Sequence, residues 1–437
     1  MTFSHTYAEA GEHIIKITCK NGTWKPGNGA QSVVYPSDRL TGIDLAYDVT
    51  TFSIGAFSYC TSLTRISLSR YVVSIPDRAF NYCTSLISIN GTSADDIAIN
   101  LPVSVTSIGT EAFRDCPSLT GRVVVSKNLI SIGRQCFQNC IKITSMSGGV
   151  NLTSIGMGAF IGCSSLTGFE FSENLKLIPE HTFRDCSSLE KIDLPYSVTQ
   201  LGSRSFSGCY NLQKVILRNP KLDTYSEYQS DRTAGIFVGD TLLESAGPLG
   251  GNYDIEFAFD ETIPDGFFKN QSENQLKSVV LPDTITKIGD DAFAFQPALT
   301  DITLPYGLNY IGAEAFYYCT QLGGLTATFD IPNTVRYIGF NAFSYTRNLS
   351  VLNIHTHMLV SRDTCKRPAM IDNSWVYGSN VSLYIHLRTE LGEYVEGTQV
   401  CKYYTEFGST DNPDTSIAYF AAISGSNTAT IVCDLIE

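Results

Sequence analysis

Clustered positive charge is what this chain most plainly lacks. Its 30 Lys and Arg are outnumbered by 43 Asp and Glu, for a formal charge of −13, and they are scattered along 437 residues. A nucleic-acid backbone needs a concentrated cationic surface, so that partner class is not expected. No stretch approaches the roughly 18 consecutive apolar residues of a membrane-spanning helix, so membrane insertion is not expected either. The opening residues Met1 to His5 carry neither the basic start nor the apolar run of a secretory leader, so no export tag is visible. The 6 histidines (His5, His13, His181, His355, His357 and His386) have no motif partner of a Ser-His-Asp or Cys-His site. Nothing supplies the paired acids of a glycan hydrolase. Neither an enzyme nor a cofactor is expected.

What the chain does contain is repetition. Its length is about three times that of a usual domain, which calls for several domains or a repeat array. Aligned on Ile-Gly-x-x-Ala-Phe-x-x-Cys-x-x-Leu, the phenylalanines are Phe57, Phe80, Phe113, Phe137, Phe160, Phe183, Phe206, Phe268, Phe293, Phe316 and Phe343, most often 23 residues apart. A Leu follows six residues later in most copies, for example Leu63, Leu166 and Leu299, and then a short strand such as Ile66-Ser67-Leu68 or Ile192-Asp193-Leu194. A fixed period with one short strand per unit predicts a solenoid whose coils bury their apolar sides only by stacking. Phe, Leu, Ile and Cys are expected to form four internal columns, with coils about 4.8 Å apart and an arc or rod on the order of 50 Å long. Pro102, Pro195, Pro282, Pro305 and Pro332 follow strand residues and remove the donor that would continue a ladder. Gly109, Gly133, Gly156, Gly202, Gly289, Gly312 and Gly339 follow the Ile or Leu, as a corner with no room for a side chain requires.

The unit closely resembles the BspA-type, Treponema-like class of leucine-rich repeat, and Leu189 to Cys209 reproduces its pattern with Leu201 in place of Ile and Ser205 in place of Ala. The likeness runs over about residues 52 to 354. It implies a leucine-rich-repeat solenoid of the α/β type, with short parallel strands and irregular or 3-10 connections. It also implies a surface-exposed or secreted protein used in adhesion to host proteins or other cells. The motif holds framework positions only, so it assigns no binding residue.

The expected organisation is residues 1–50 as an N-terminal β-rich cap, 51–355 as eleven coils, and 356–437 as a C-terminal β-rich cap or small domain. Residues 4–18 resemble the closing strands of a PKD-type immunoglobulin-like module, with His13 where its second Tyr would stand. Truncation or a cap would each explain the fragment, because an open solenoid end exposes its core. Between Phe206 and Phe268 an insertion at about 219–262 reads as a protrusion or one degenerate coil, and smaller insertions fall near Asp95-Asp96 and between Phe316 and Phe343. Val381 to Leu387 and Thr428 to Val432 alternate as strands do.

Of 13 cysteines, Cys60, Cys83, Cys116, Cys140, Cys163, Cys186, Cys209 and Cys319 share one repeat position, three after Phe. A metal site needs convergent ligands and a column offers parallel ones, so these read as small buried groups, and Cys136 at an Ala position as packing. Gln296 and Thr346 replace Cys in two coils, which a ligand role would not tolerate. Cys19, Cys365, Cys401 and Cys433 lie outside the column, and a disulfide among the last three is left open. His355-Thr356-His357 lacks a third metal ligand, Asp411 to Asp414 lacks calcium-loop spacing, and Gly156-Met157-Gly158 belongs to the repeat rather than to a dinucleotide loop. No metal is expected. Asn21, Asn90, Asn151, Asn270, Asn348 and Asn380 open glycosylation sequons, which matter only in a secreted eukaryotic protein.

Alternation across each strand turns a polar row outward: Arg65 and Ser67, Ser88 and Asn90, Lys191 and Asp193, Lys214 and Ile216, Asp301 and Thr303, Val351 and Asn353. This row, expected on the concave side, holds no aromatic ring and suits a protein partner better than a glycan. The residue before Cys is aromatic at Tyr59, Tyr82, Phe295, Tyr318 and Tyr345, and the last three would form a strip along one edge. Packing within its own column is the competing explanation for that strip. The expected function is adhesion or interaction with a macromolecule by an extracellular or cell-surface protein. The alternative is a structural or receptor-binding part of a larger assembly such as a virion tail or fibre.

Overall fold

The structure, a computed structural model, describes residues 40–45, 49–90, 97–225, 235–238, 243–269 and 276–354, with backbone alone at 97, 225 and the strands Ile14–Ile17, Ser382–Arg388, Gly392–Tyr394, Val400–Tyr404, Ile417–Ala421 and Ile431–Ile436. It is a parallel-strand solenoid of about 12 turns. Two units divide it, one comprising Met1–Val215 with Tyr225–Glu227 and the other Ile216–Thr224 with Tyr228–Glu437. The connections are turns, and no helix occurs among the described residues.

In the first unit, one parallel sheet runs in the order Ile14–Ile17, Gly42–Leu45, Arg65–Ser67, Ser88–Ile89, Ile97–Asn100, Gly121–Val125, Ile143–Gly148 and Gly168–Phe169. A second sheet stacks the Ser-Ile pairs at 74–75, 107–108, 131–132 and 154–155 in matched register. The insertion near Asp95 thus adds a strand, Ile97–Asn100, to the first sheet alone. On the second sheet Ser74 pairs directly with Ser107, and the rings of Phe80 and Phe113 stack at 5.3 Å.

A third ladder joins the turns that carry Phe. Phe57 N–H donates to Ala79 O at 2.9 Å, Phe80 N–H to Ala112 O at 2.8 Å and Phe113 N–H to Cys136 O at 2.9 Å, always from one coil to the next in sequence. The residues two before and two after Phe make the same forward bonds, as at Gly55 and Tyr59, and both adopt left-handed backbone. Left-handed residues two before and two after Phe bracket it, and their N–H groups point the same way as that of Phe, so each coil meets its neighbour with three parallel donors.

Inside, the expected columns are present. Phe57, Phe80, Phe113, Phe137, Phe160, Phe183 and Phe206 are fully buried. Their rings stack at separations such as 5.5, 5.3 and 5.4 Å. The cysteine column is buried too, but it is more than apolar filling. From Cys83 onward the column thiols donate to the carbonyl of the preceding coil's Phe, Cys83 to Phe57 at 3.0 Å and Cys186 to Phe160 at 3.2 Å. Gln296, at a Cys position, replaces that donor with an amide N–H to Phe268 O, whereas Thr346 turns its hydroxyl to Phe343 O of its own coil at 2.7 Å. Burial pushes the thiols of Cys83, Cys140 and Cys186 up, and those of Cys163 and Cys319 up to about 12.

The corner glycines answer to space, not to backbone angle. A Cβ on Gly133 would lie 2.4 Å from Gly109 C and Thr110 N of the preceding coil, and one on Gly202 would lie 2.2 Å from Glu180 N. Backbone there cannot retreat without pulling two coils apart.

In the second unit, strands order as Ile255–Phe257, Ser245–Pro248, Ser278–Val280 and Asp301–Thr303, beside a second sheet of Thr262–Ile263, Lys287–Ile288, Tyr310–Ile311 and Tyr337–Ile338. Two strands of the long insertion, Ser245–Pro248 and Ile255–Phe257, are therefore built into the repeat sheet, in reversed order. Phe237, Phe257, Phe259 and Phe267 seal it, with Phe257 and Phe259 rings at 5.0 Å. Val351–Ile354 pairs in parallel with Ser382–Arg388, which pairs with Ile431–Ile436. At the other end Ile14–Ile17 lies parallel to Gly42–Leu45. The rest of the PKD-like fragment, His355, His357, Asp411 to Asp414 and the side chains of Cys19, Cys365, Cys401 and Cys433 lie outside the described residues.

Two outcomes are expected. Gly133→Ala lowers stability by about 2 kcal/mol or more, measured by denaturant unfolding, because the methyl group meets backbone. Iodoacetamide at about pH 8 leaves the column cysteines unmodified in the folded chain and alkylates them in denaturant, read by peptide mass mapping, because the reactive species is the thiolate.

Candidate functional site

The turn ladder sets the geometry of the surface that stands out chemically. Its second left-handed position, just before Cys, falls on Tyr59, Tyr82, Asp115, Asn139, Gly162, Asp185, Gly208, Phe295, Tyr318 and Tyr345. Gly has no Cβ to clash there, and Asp and Asn bond locally, so half of these choices are what the backbone asks for. The aromatic half is not. A left-handed angle costs a residue with a Cβ roughly 1–2 kcal/mol, and Phe295, Tyr318 and Tyr345 hold φ of 57°, 62° and 60°.

In the second unit these three form one half-buried patch, as the sequence predicts, together with a ring it did not single out, Tyr317. Phe295 lies 5.3 Å from Tyr317 and 5.8 Å from Tyr318, and Tyr345 lies 5.4 Å from Tyr317 and 5.7 Å from Tyr318. The contacts mix edge-on, tilted and stacked geometry, and each of the four rings stays partly exposed. Cations border the patch: the Arg347 guanidinium sits 5.8 Å over Tyr318, and Lys269 Nζ sits 5.8 Å over Phe295. Lys269 is buried and bonds Asp291 at 2.8 Å. Burial raises the Asp291 carboxyl, and the Lys269 bond pulls it back. Burial also raises the Tyr317 hydroxyl, with Tyr345 next in effect. In the first unit Tyr59 and Tyr82 stack at 4.8 Å with planes 5° apart, and Tyr59 is exposed.

The strand row is outward-facing but largely self-occupied. Arg65 Nη1 lies 3.4 Å from Asp44 Oδ1, and Lys191 Nζ lies 3.7 Å from Asp193 Oδ2, both exposed pairs. Lys214 and Ile216 are half-buried between buried Val215 and Leu217. Asp301 and Thr303 are exposed on either side of buried Ile302. Arg65, Lys191, Asp193 and Lys214 belong to the first unit, and Ile216, Asp301 and Thr303 to the second. Among the described residues no group of three or more His, Cys, Asp or Glu could hold a metal ion, and no helix is long and apolar enough to cross a membrane.

A second aromatic group also went unflagged in the sequence. Tyr310 and Tyr337 stack at 4.6 Å on the outer face of the second sheet, with Lys287 Nζ 4.9 Å over Tyr310. The signal was available, since both precede Ile-Gly at one repeat position where the first unit carries Ser107, Ser131 and Ser154.

The profile of the BspA type Leucine rich repeat region matches in 6 copies, over residues 30–100, 92–213 and 261–365. No curated protein matches the sequence. Among solved structures, a leucine-rich repeat protein from Bacteroides ovatus is similar with a TM-score of 0.60 at 22% identity, covering 86% of this chain and 88% of that one. A leucine rich cell surface protein from Faecalibacterium prausnitzii gives 0.39 at 21%, covering 85% and 89%. The pneumococcal vaccine antigen PcpA gives 0.42 at 17%, covering 97% and 95%. At these identities the first likeness speaks for the fold alone. With its repeat profile matched over more than half its length, this chain belongs to the BspA-type leucine-rich repeat family.

Proposed function

We propose that this chain is a surface or secreted interaction protein that holds a protein partner, without catalysis, through the aromatic patch of Phe295, Tyr317, Tyr318 and Tyr345. The observation that carries the reading is the set of left-handed aromatics. Five sister coils fill the same position with Asp, Asn or Gly, so the fold does not require rings there. Backbone strain retained at adjacent positions marks a surface kept for what it touches. Tyrosine suits such a surface, offering a large rigid face and a hydroxyl at low conformational cost. The name of the Faecalibacterium prausnitzii neighbour is consistent with display at a cell surface.

The deciding measurement is binding of the purified chain to a panel of immobilised extracellular-matrix proteins, with two double variants beside it. Tyr318→Ala with Tyr345→Ala is expected to weaken the strongest interaction at least tenfold, about 1.4 kcal/mol. Lys191→Glu with Lys214→Glu, on the strand row, is expected to leave it within about twofold. If the charge reversal abolishes binding and the tyrosine variant does not, the contact lies on the strand row and the patch reading is wrong. If no protein is bound, the interaction reading itself falls.

A further inference from the structure

We propose that the second unit carries a binding site for carboxylate-bearing oligosaccharides, built around Tyr306 and Arg336. Tyr306 stands on the bend after Pro305 and is 72% exposed. The bend is fixed from the next coil, where the Thr334 hydroxyl donates to Leu308 O at 2.7 Å and also to Tyr306 O. The ring is therefore presented by backbone that has little freedom to lose on binding. A groove on one flank is lined by Tyr306, Gly307, Asn309, Asn333, Thr334 and Arg336. Beyond it the second sheet presents the stacked pair Tyr310 and Tyr337 with Lys287 against Tyr310.

These residues share a chemistry. An exposed phenol ring accepts the C–H face of a pyranose, and the side-chain amides of Asn309 and Asn333 offer donors and acceptors to its hydroxyls. A guanidinium binds a carboxylate through two parallel bonds. No carboxylate lines this groove, in a chain of net charge −13. The groove on the other flank of Tyr306 contains Asp301 and Asp330, so an anionic ligand is directed to the Asn309 and Arg336 side. The solenoid does not need this set. At the repeat positions of Tyr310 and Tyr337 the first unit has Ser74, Ser107, Ser131, Ser154, Leu177 and Gln200, none of them aromatic, and at those of Asn309 and Arg336 it has Val73, Thr106, Ile130, Thr153, Lys176 and Thr199, a cation without a neighbouring ring. Its corresponding groove, lined by Asn128, Asn151 and Asn174 among others, has amides and hydroxyls but neither ring nor cation.

The test is calorimetric titration of the full chain with 3′-sialyllactose and a hyaluronan hexasaccharide, each against a neutral counterpart, lactose and chitohexaose. At least one acidic probe is expected to bind with a Kd of ~1 mM or tighter and its neutral counterpart at least tenfold more weakly. Tyr306→Ala and Arg336→Gln each weaken that binding at least fivefold. Tyr196→Ala, an exposed bend tyrosine of the first unit, leaves it unchanged. The Tyr318→Ala, Tyr345→Ala variant also binds the sugar normally, which separates this site from the protein-binding patch. Matching thermal unfolding of all variants shows that folding is not the cause. No acidic probe bound up to ~10 mM, equal binding of the neutral sugars, or equal loss in Tyr196→Ala overturns the proposal.

Discussion

A coil of 23 residues leaves most of its backbone N–H and C=O groups pointing along the stacking direction, where only another coil can meet them. That constraint governs the molecule. Three ladders satisfy it: two of short parallel strands, and one of turns in which residues two before Phe, Phe itself and two after donate to the following coil. Side chains extend the same bonding between ladders. Thr64 donates to Thr41 O at 2.8 Å, Thr167 to Thr144 O at 3.1 Å and Thr300 to Lys277 O at 3.1 Å, each reaching back 23 residues.

Packing follows from the spacing the ladders impose. Rings held near 5.3 Å face one another in the Phe column, and the corner glycines let backbone meet backbone. The thiols show how polar and apolar needs are met together. Those from Cys83 onward each fill a small gap and give a second donor to a Phe carbonyl that is buried in the column. The amide of Gln296 keeps that bond where Cys is lost, at the coil beside the buried Lys269–Asp291 pair.

Much of this was legible in the sequence, because stacking makes every coil ask the same question at the same position. Phe57 to Phe343, the cysteines and Gly109 to Gly339 could be read as columns before any coordinates. The long insertion could not be settled, since placing Ile255–Phe257 outside Ser245–Pro248 is a choice of strand order that periodicity does not encode. The left-handed angle at Tyr318 was hidden for a different reason. Aromatic residues do not signal such an angle, and only the Asp115, Asn139 and Gly162 of sister coils reveal what the turn demands. The surfaces were half visible: Phe295, Tyr318 and Tyr345 declared themselves by shared position, while Tyr317 and the Tyr310–Tyr337 pair looked like ordinary repeat residues. Arg65, Lys191 and Asp193 were correctly placed outward, but strand alternation says nothing of the ion pairs that occupy them.

The turn ladder differs from a sheet in one further respect. Neighbouring strands exchange donors and acceptors in both directions, and their peptide dipoles largely cancel. In the Phe-bearing turns the bonds run from Gly55, Phe57 and Tyr59 toward Asp77, Ala79 and Asn81, and in the same sense from later coils of each unit, so these dipoles add head to tail as they do in a helix. Each unit is therefore vectorial. One terminal face of its turn column is acceptor-rich and carries partial negative charge, and the opposite face is donor-rich and partially positive. A segment that seals one face cannot seal the other, and two identical faces of the turn column repel each other when they meet.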